Sequence, residues 1–124
     1  MPSITKSQQT RGKKEKKPKK PTKTKLNAKA DKEWSAKVKE LAGMKCEVCG
    51  TTQHLNSHHI FSRVNHSVRW DLDNGICLCP SHHNFNHELS AHKAPCEFTH
   101  WIIESRGQDW YDRLRLKAKS VSKE

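Results

Sequence analysis

Cys46-Glu47-Val48-Cys49-Gly50 and, further along, Asp73-Asn74-Gly75-Ile76-Cys77-Leu78-Cys79-Pro80-Ser81-His82-His83 decide how this 124-residue chain folds. Two thiolates three residues apart can grip one tetrahedral ion, and the glycine relieves the backbone at the turn. One such pair does not close a site. Cys79-Pro80-Ser81-His82 supplies a second pair at the same spacing, across a strand-to-helix junction. The expected structural zinc site is therefore Cys46, Cys49, Cys79 and His82. Cys77, two residues before Cys79 on the same strand face, rivals His82 as the fourth ligand. The bland alternative is a set of buried thiols without metal. The chain has five cysteines, an odd number, and its start, MPSITKSQQT, has no apolar stretch of signal-peptide type. A cytoplasmic, reducing setting is expected, nuclear only if the source is eukaryotic, and metal ligation is favoured over disulfides. Only 32% of residues are hydrophobic and the mean hydropathy is −1.00. A bound metal would explain how so small a core stays folded.

Around this frame the elements read as α+β. Trp34, Val38 and Leu41 fall at helical spacing, with Asp31 as N-cap and Gly43 as stop, so a helix is expected over 32–42 within a segment 31–45. HLNSHHIF, residues 54–61, is a strand candidate. SVRWDLDNGICLC, residues 67–79, gives a second strand, interrupted by the turn signal Asp73-Asn74-Gly75. Pro80 suits the first turn of a helix running to about residue 90. Pro95 opens another helix, stopped at Gly107, and QDWYDRLRLKAKS reads as the last. Phe98, Trp101, Ile102, Trp110 and Leu114 are expected in the core, as is Trp70. The helices of 91–124 are expected to pack on a core module spanning 46–90.

Charge is divided unevenly. Residues 1–45 carry 15 basic and 4 acidic groups, whereas residues 46–124 carry 9 of each. Residues 1–30 hold 11 basic groups and one acid, with prolines at 18 and 21, and are expected to form a disordered Lys-rich arm. Such an arm suits a polyanion, nucleic acid above all, with a solubilising tail as the alternative. No apolar run approaches the ~18 residues of a membrane span.

The four expected zinc ligands leave no open position for reaction. A second cluster is more reactive. His58-His59 lies on the first strand, and His83 and His87 lie one turn apart on the expected helix. Four histidines beside a knuckle point to a second metal site. Adjacent strand residues face opposite ways, so a bend is needed for both His58 and His59 to serve one site.

At C46EVCG, H58HIF, D73NGICLCPSHH and His87 the chain resembles the HNH (His-Me finger, ββα-metal) nuclease family, over about residues 46–90. The stretch from Ser62 to Cys79, with EFTHWI and WYDRLRLKA, is also similar to small phage-type HNH proteins, including the NinG-type recombination nucleases. The resemblance implies a zinc-stapled ββα-metal module with flanking helices. It implies His59 as general base, and His58 and His83 as ligands of a catalytic divalent ion (Mg2+, Mn2+, Ni2+ or Zn2+), completed by His87. Asn74 would hold the loop that orients the base. His82 stands where the family usually has a cysteine, so the choice between His82 and His83 as catalytic-metal ligand stays open.

The implied activity is metal-dependent hydrolysis of DNA phosphodiester bonds, by nicking or double-strand cleavage. Arg63 and Arg69, on the loop near the site, are candidate phosphate contacts. The arm would add salt-dependent, sequence-independent affinity for DNA. The alternatives are a non-catalytic zinc module that binds nucleic acid and a protein partner in a phage-like complex. The full set His58, His59, Asn74, His83 and His87 favours the enzyme, because a binding module needs only the knuckle.

Overall fold

The computed structural model describes residues 22–120. The expected arm falls outside this range up to residue 21. From there the chain departs from the expectation, because the first helix, α1, runs Lys23–Leu41, well upstream of residue 32. Its N-cap is Thr22, whose hydroxyl accepts from the Lys25 N–H at 3.1 Å, a standard way to satisfy a free helix-end donor. Asp31 is mid-helix, and its carboxylate serves another element. The expected stop holds: Gly43 takes φ +77°, and the Met44 N–H closes onto the Lys39 carbonyl.

Two four-residue strands follow, β1 (Asn56–His59) and β2 (Gly75–Leu78), antiparallel, with His58 opposite Ile76 and His59 opposite Gly75. The expected strand over 67–72 is absent. Those residues form turns and a 3-10 turn, Leu72–Asn74, capped by Asp71, whose carboxylate accepts from the Asp73 N–H. The expected helix to residue 90 is also cut short. It survives as a five-residue π-helical turn, Ser81–Phe85. Asn86 then turns extended, and its side-chain oxygen accepts from the Glu88 and Leu89 N–H groups. That local bonding competes successfully with helix continuation. Helices α2 (Pro95–Arg106) and α3 (Gln108–Lys119) lie where expected, on either side of Gly107 at φ +99°.

The alternation of β2 divides the core. Ile76 and Leu78 face one way, into a cluster with Cys46, Val68, Phe98, Ile102, Trp110 and Leu114. Cys77 faces the other way, against Trp34 and Val38 of α1. The small sheet is thus packed on both faces, which two isolated strands need for stability. Gly75 fits this arrangement because a Cβ there would overlap the Val38 and Trp34 side chains. Trp70 is not core: it is 36% exposed and donates its Nε1–H to Asp31. No helix among the described residues is long and apolar enough to cross a membrane.

Candidate metal centre and histidine cleft

The knuckle comes together as its spacing demands. Gly50, at φ +81°, donates its N–H to the Cys46 carbonyl, and the Cys46 N–H returns to Thr51. This tight corner turns Cys46 and Cys49 towards Cys79 and His82, and the ligand atoms of all four lie within 4.8 Å of one another. Cys49 Sγ is 3.7 Å from Cys79 Sγ. His82 Nδ1 is 3.4 Å from Cys79 Sγ and 3.9 Å from Cys46 Sγ. A tetrahedral zinc with sulfur at about 2.3 Å has S···S edges of about 3.8 Å and S···N edges of about 3.5 Å. The four residues could therefore hold one such ion. Burial pushes the Cys46 thiol up, but N–H groups of Cys49, Cys79 and Val48 outweigh it and leave the pKa lowered, which favours a ligating thiolate. Cys77 is not in the group. It lies on the opposite sheet face, where burial first and Glu47 second raise its thiol pKa.

The second cluster is built differently from the expectation. His58, His83 and His92 bring their ligand nitrogens within 4.8 Å of one another, and their ring centroids lie 4.7–5.1 Å apart. His87 is exposed and outside the group. The cause is the unwinding at Asn86. His87 is no longer one helical turn past His83, and the chain doubles back so that the His92 N–H meets the His83 carbonyl at 3.0 Å. The two neighbouring histidines part company: His82 groups with the thiols, and His83 groups with His58. Asn86 just after the histidine pair was the available sign of a turn, but nothing in the spacing singles out His92.

His58, His59, His83 and His92 line one open cleft of about 450 Å3, together with Ser57, Ile60, Ser62 and Ala91. His59 is the last residue of β1, next to the bend at Ile60, so both members of the pair reach the same cleft. His59 Nε2 lies 2.9 Å from the Arg69 carbonyl. A carbonyl only accepts, so the neutral ring carries its proton on Nε2 and leaves Nδ1 bare. One face of the ring stacks on Trp34, with centroids 3.8 Å apart and planes within 5°.

Asn74 is fully buried and ties down the loop between the strands. It accepts from the Phe61 N–H at 2.7 Å and donates to the carbonyls of Phe61 and Val68. Arg69 is not free for phosphate. Its guanidinium forms two bonds to Asp31, at 2.9 and 2.7 Å, and it is Arg69's backbone that meets His59. Arg63 is 62% exposed, with one nitrogen 3.9 Å from Asp31. Arg69 holds the Asp31 carboxyl below the usual carboxylate range.

Burial, then repulsion from His83 and His92, lowers the His58 pKa to about 3. Burial likewise lowers His59 and His83. Neutral imidazoles are the ligating form. A stability consequence follows. Between pH 6.5 and about 3 the unfolded chain protonates His58 and the folded chain does not. The unfolded state then binds more protons, so stability is full above about pH 6.5 and falls with acid, by about 1.4 kcal/mol per pH unit at most from this group. Denaturant midpoints at about pH 7 and about pH 5.5 should differ in this sense, and His58→Asn should flatten the difference. An equal slope in the variant would remove His58 as its source.

No family model matches the chain, and comparison with curated proteins and with solved structures gives no match.

Proposed function

We propose that the chain is a metal-dependent endonuclease of the HNH (His-Me finger, ββα-metal) type that hydrolyses DNA phosphodiester bonds. One observation carries the reading. A single cleft is lined by three convergent histidines and by a fourth whose Nδ1 is left bare by its own hydrogen bond. A pure binding module has no use for that fourth histidine. The antiparallel pair β1–β2, followed by a turn bearing His83, supports the ββα-metal architecture, with the usual helix reduced to five residues.

In this reading the knuckle holds a structural zinc, and His58, His83 and His92 hold the catalytic ion. A divalent ion bound there would offset charge on the scissile phosphate and the leaving oxygen. Imidazole donors favour Mn2+, Ni2+ or Zn2+ over Mg2+. His59 takes the proton from the attacking water at Nδ1. The resulting imidazolium is steadied by its Nε2–H bond to the Arg69 carbonyl, which strengthens as the ring gains charge. Burial keeps the ring neutral beforehand. Arg63 is the remaining loop contact for phosphate, and the basic segment ahead of α1 adds salt-dependent affinity.

The test is nicking of supercoiled plasmid by the wild type and by His59→Ala, each with Mn2+, Mg2+, Ni2+ or EDTA. Metal-dependent nicking that falls about 10²–10⁴-fold in the variant is expected. Plasmid binding without nicking under every metal would leave the zinc-containing binding module as the better reading.

A further inference from the structure

We infer that α1, which lies outside the cysteine–histidine module, positions the proposed base from two sides: Trp34 sets the plane of the His59 ring, and Asp31 anchors the residue whose carbonyl holds the ring's edge. The inference rests on the nuclease reading. His59 sits at the end of a four-residue strand, beside a bend. Its side chain has two free torsions, and a base is useful only in one orientation. A parallel stack at 3.8 Å restrains rotation of the ring out of plane. The bond from Nε2 to the Arg69 carbonyl fixes which edge points where. Together they leave one placement for Nδ1.

Both restraints trace back to one face of α1, because residues 31 and 34 are neighbours on a helix surface. Trp34 is itself held: its Nε1–H donates to the Asp71 carbonyl at 2.9 Å, and the missing Cβ of Gly75 makes the room it occupies. Arg69 is held by its two-pronged pairing with Asp31, which also accepts from Trp70. Any buried indole needs an acceptor for its N–H, but a tryptophan serving only to fill space has no need of the parallel alignment with an imidazole. Misplacing a catalytic group by about an ångström can cost about 10²-fold, so these restraints matter to rate beyond their packing.

The experiment is a double-mutant cycle on the full, metal-loaded chain. Trp34→Leu and Trp34→Phe are made alone and in the His59→Ala background. Single-turnover plasmid nicking with Mn2+ and plasmid affinity are both measured. Trp34→Leu should slow nicking about 10–100-fold with affinity unchanged, and Trp34→Phe, which keeps an aromatic face, should retain most of the rate. In the His59→Ala background, Trp34→Leu should cost nothing further. An equal loss in both backgrounds would make Trp34 a support of the fold alone and overturn the inference. Should Trp34→Leu not fold, NMR of the wild type decides. The His59 ring protons should be shifted upfield by the indole, with the neutral ring protonated at Nε2, and unshifted protons or the other tautomer would overturn it. A wild type that never nicks sinks the nuclease reading itself, an outcome distinct from additive losses in a working enzyme.

Discussion

Cys79→Ser, or a chelator that strips the knuckle, should abolish the cooperative thermal transition of this chain, with loss of one bound zinc by elemental analysis. Cys46 and Cys79 are ligand candidates and core members at once, 2% and 5% exposed. The sheet they brace has only two strands of four residues, and such a pair is marginal alone. Structural zinc in small modules binds with about 10–16 kcal/mol, whereas whole domains are stable by about 5–15 kcal/mol. Removing the first term takes away as much as a whole domain's margin, more than the two backbone-anchored bonds between Glu47 and Cys77 can replace. Cys77→Ala is the control. Its thiol faces Trp34 and Val38, so it should cost only about 1–2 kcal/mol of packing and leave the zinc in place. A cooperative melt that survives complete loss of zinc from the knuckle would refute the staple.

The knuckle was legible because its ligands are fixed by short-range geometry. Two x-x spacings and a glycine specify most of it before any tertiary contact forms. Helices α2 and α3 were legible for the same reason, since Pro95 and Gly107 punctuate them locally. What escaped the sequence depended on competition or on distance. The helix after Pro80 begins where the proline indicates, as a π-helical turn, but Asn86 bonds to its own downstream N–H groups and ends it, which exchanges His87 for His92. The face of β1 that carries His59 could be read from alternation, but the tryptophan stacked on it comes from a helix 25 positions upstream. Arg69 misled by type: an arginine beside a polar cleft suggests phosphate, and only the fold reveals Asp31 already in its fork. The start of α1 was obscured by the basic run, in which Thr22 was a cap without an apolar stripe to announce the helix.

Asn74 should prove the least replaceable residue outside the ligands. Its side chain satisfies one buried N–H and two buried carbonyls, of Phe61 and Val68, and the Asn74 carbonyl itself receives the Ile60 N–H. Asn74→Ala strands the Phe61 N–H and carbonyl at about 1–3 kcal/mol each and leaves the Val68 carbonyl with the Asp71 N–H alone, a loss above the ~1 kcal/mol of an ordinary substitution. Because Ile60 and Phe61 follow His59 directly, nicking should fail along with the loop, even at temperatures where the variant stays folded. Asn74→Asp separates the two bonding roles. A carboxylate can still accept from the Phe61 N–H, but its second oxygen would face two carbonyls. The site should therefore hold the aspartate protonated, with a folded pKa raised above the unfolded value of about 3.9. A raised carboxyl contributes stability that is present at low pH and lost as pH rises through the folded pKa. Asn74→Asp should thus gain stability, relative to wild type, as the solution is acidified from about pH 7 to about pH 5, against the trend set by His58. Chemical denaturation of both proteins across that range reads the difference directly. An aspartate variant that tracks wild type at every pH would mean that the two carbonyl contacts do not hold the loop.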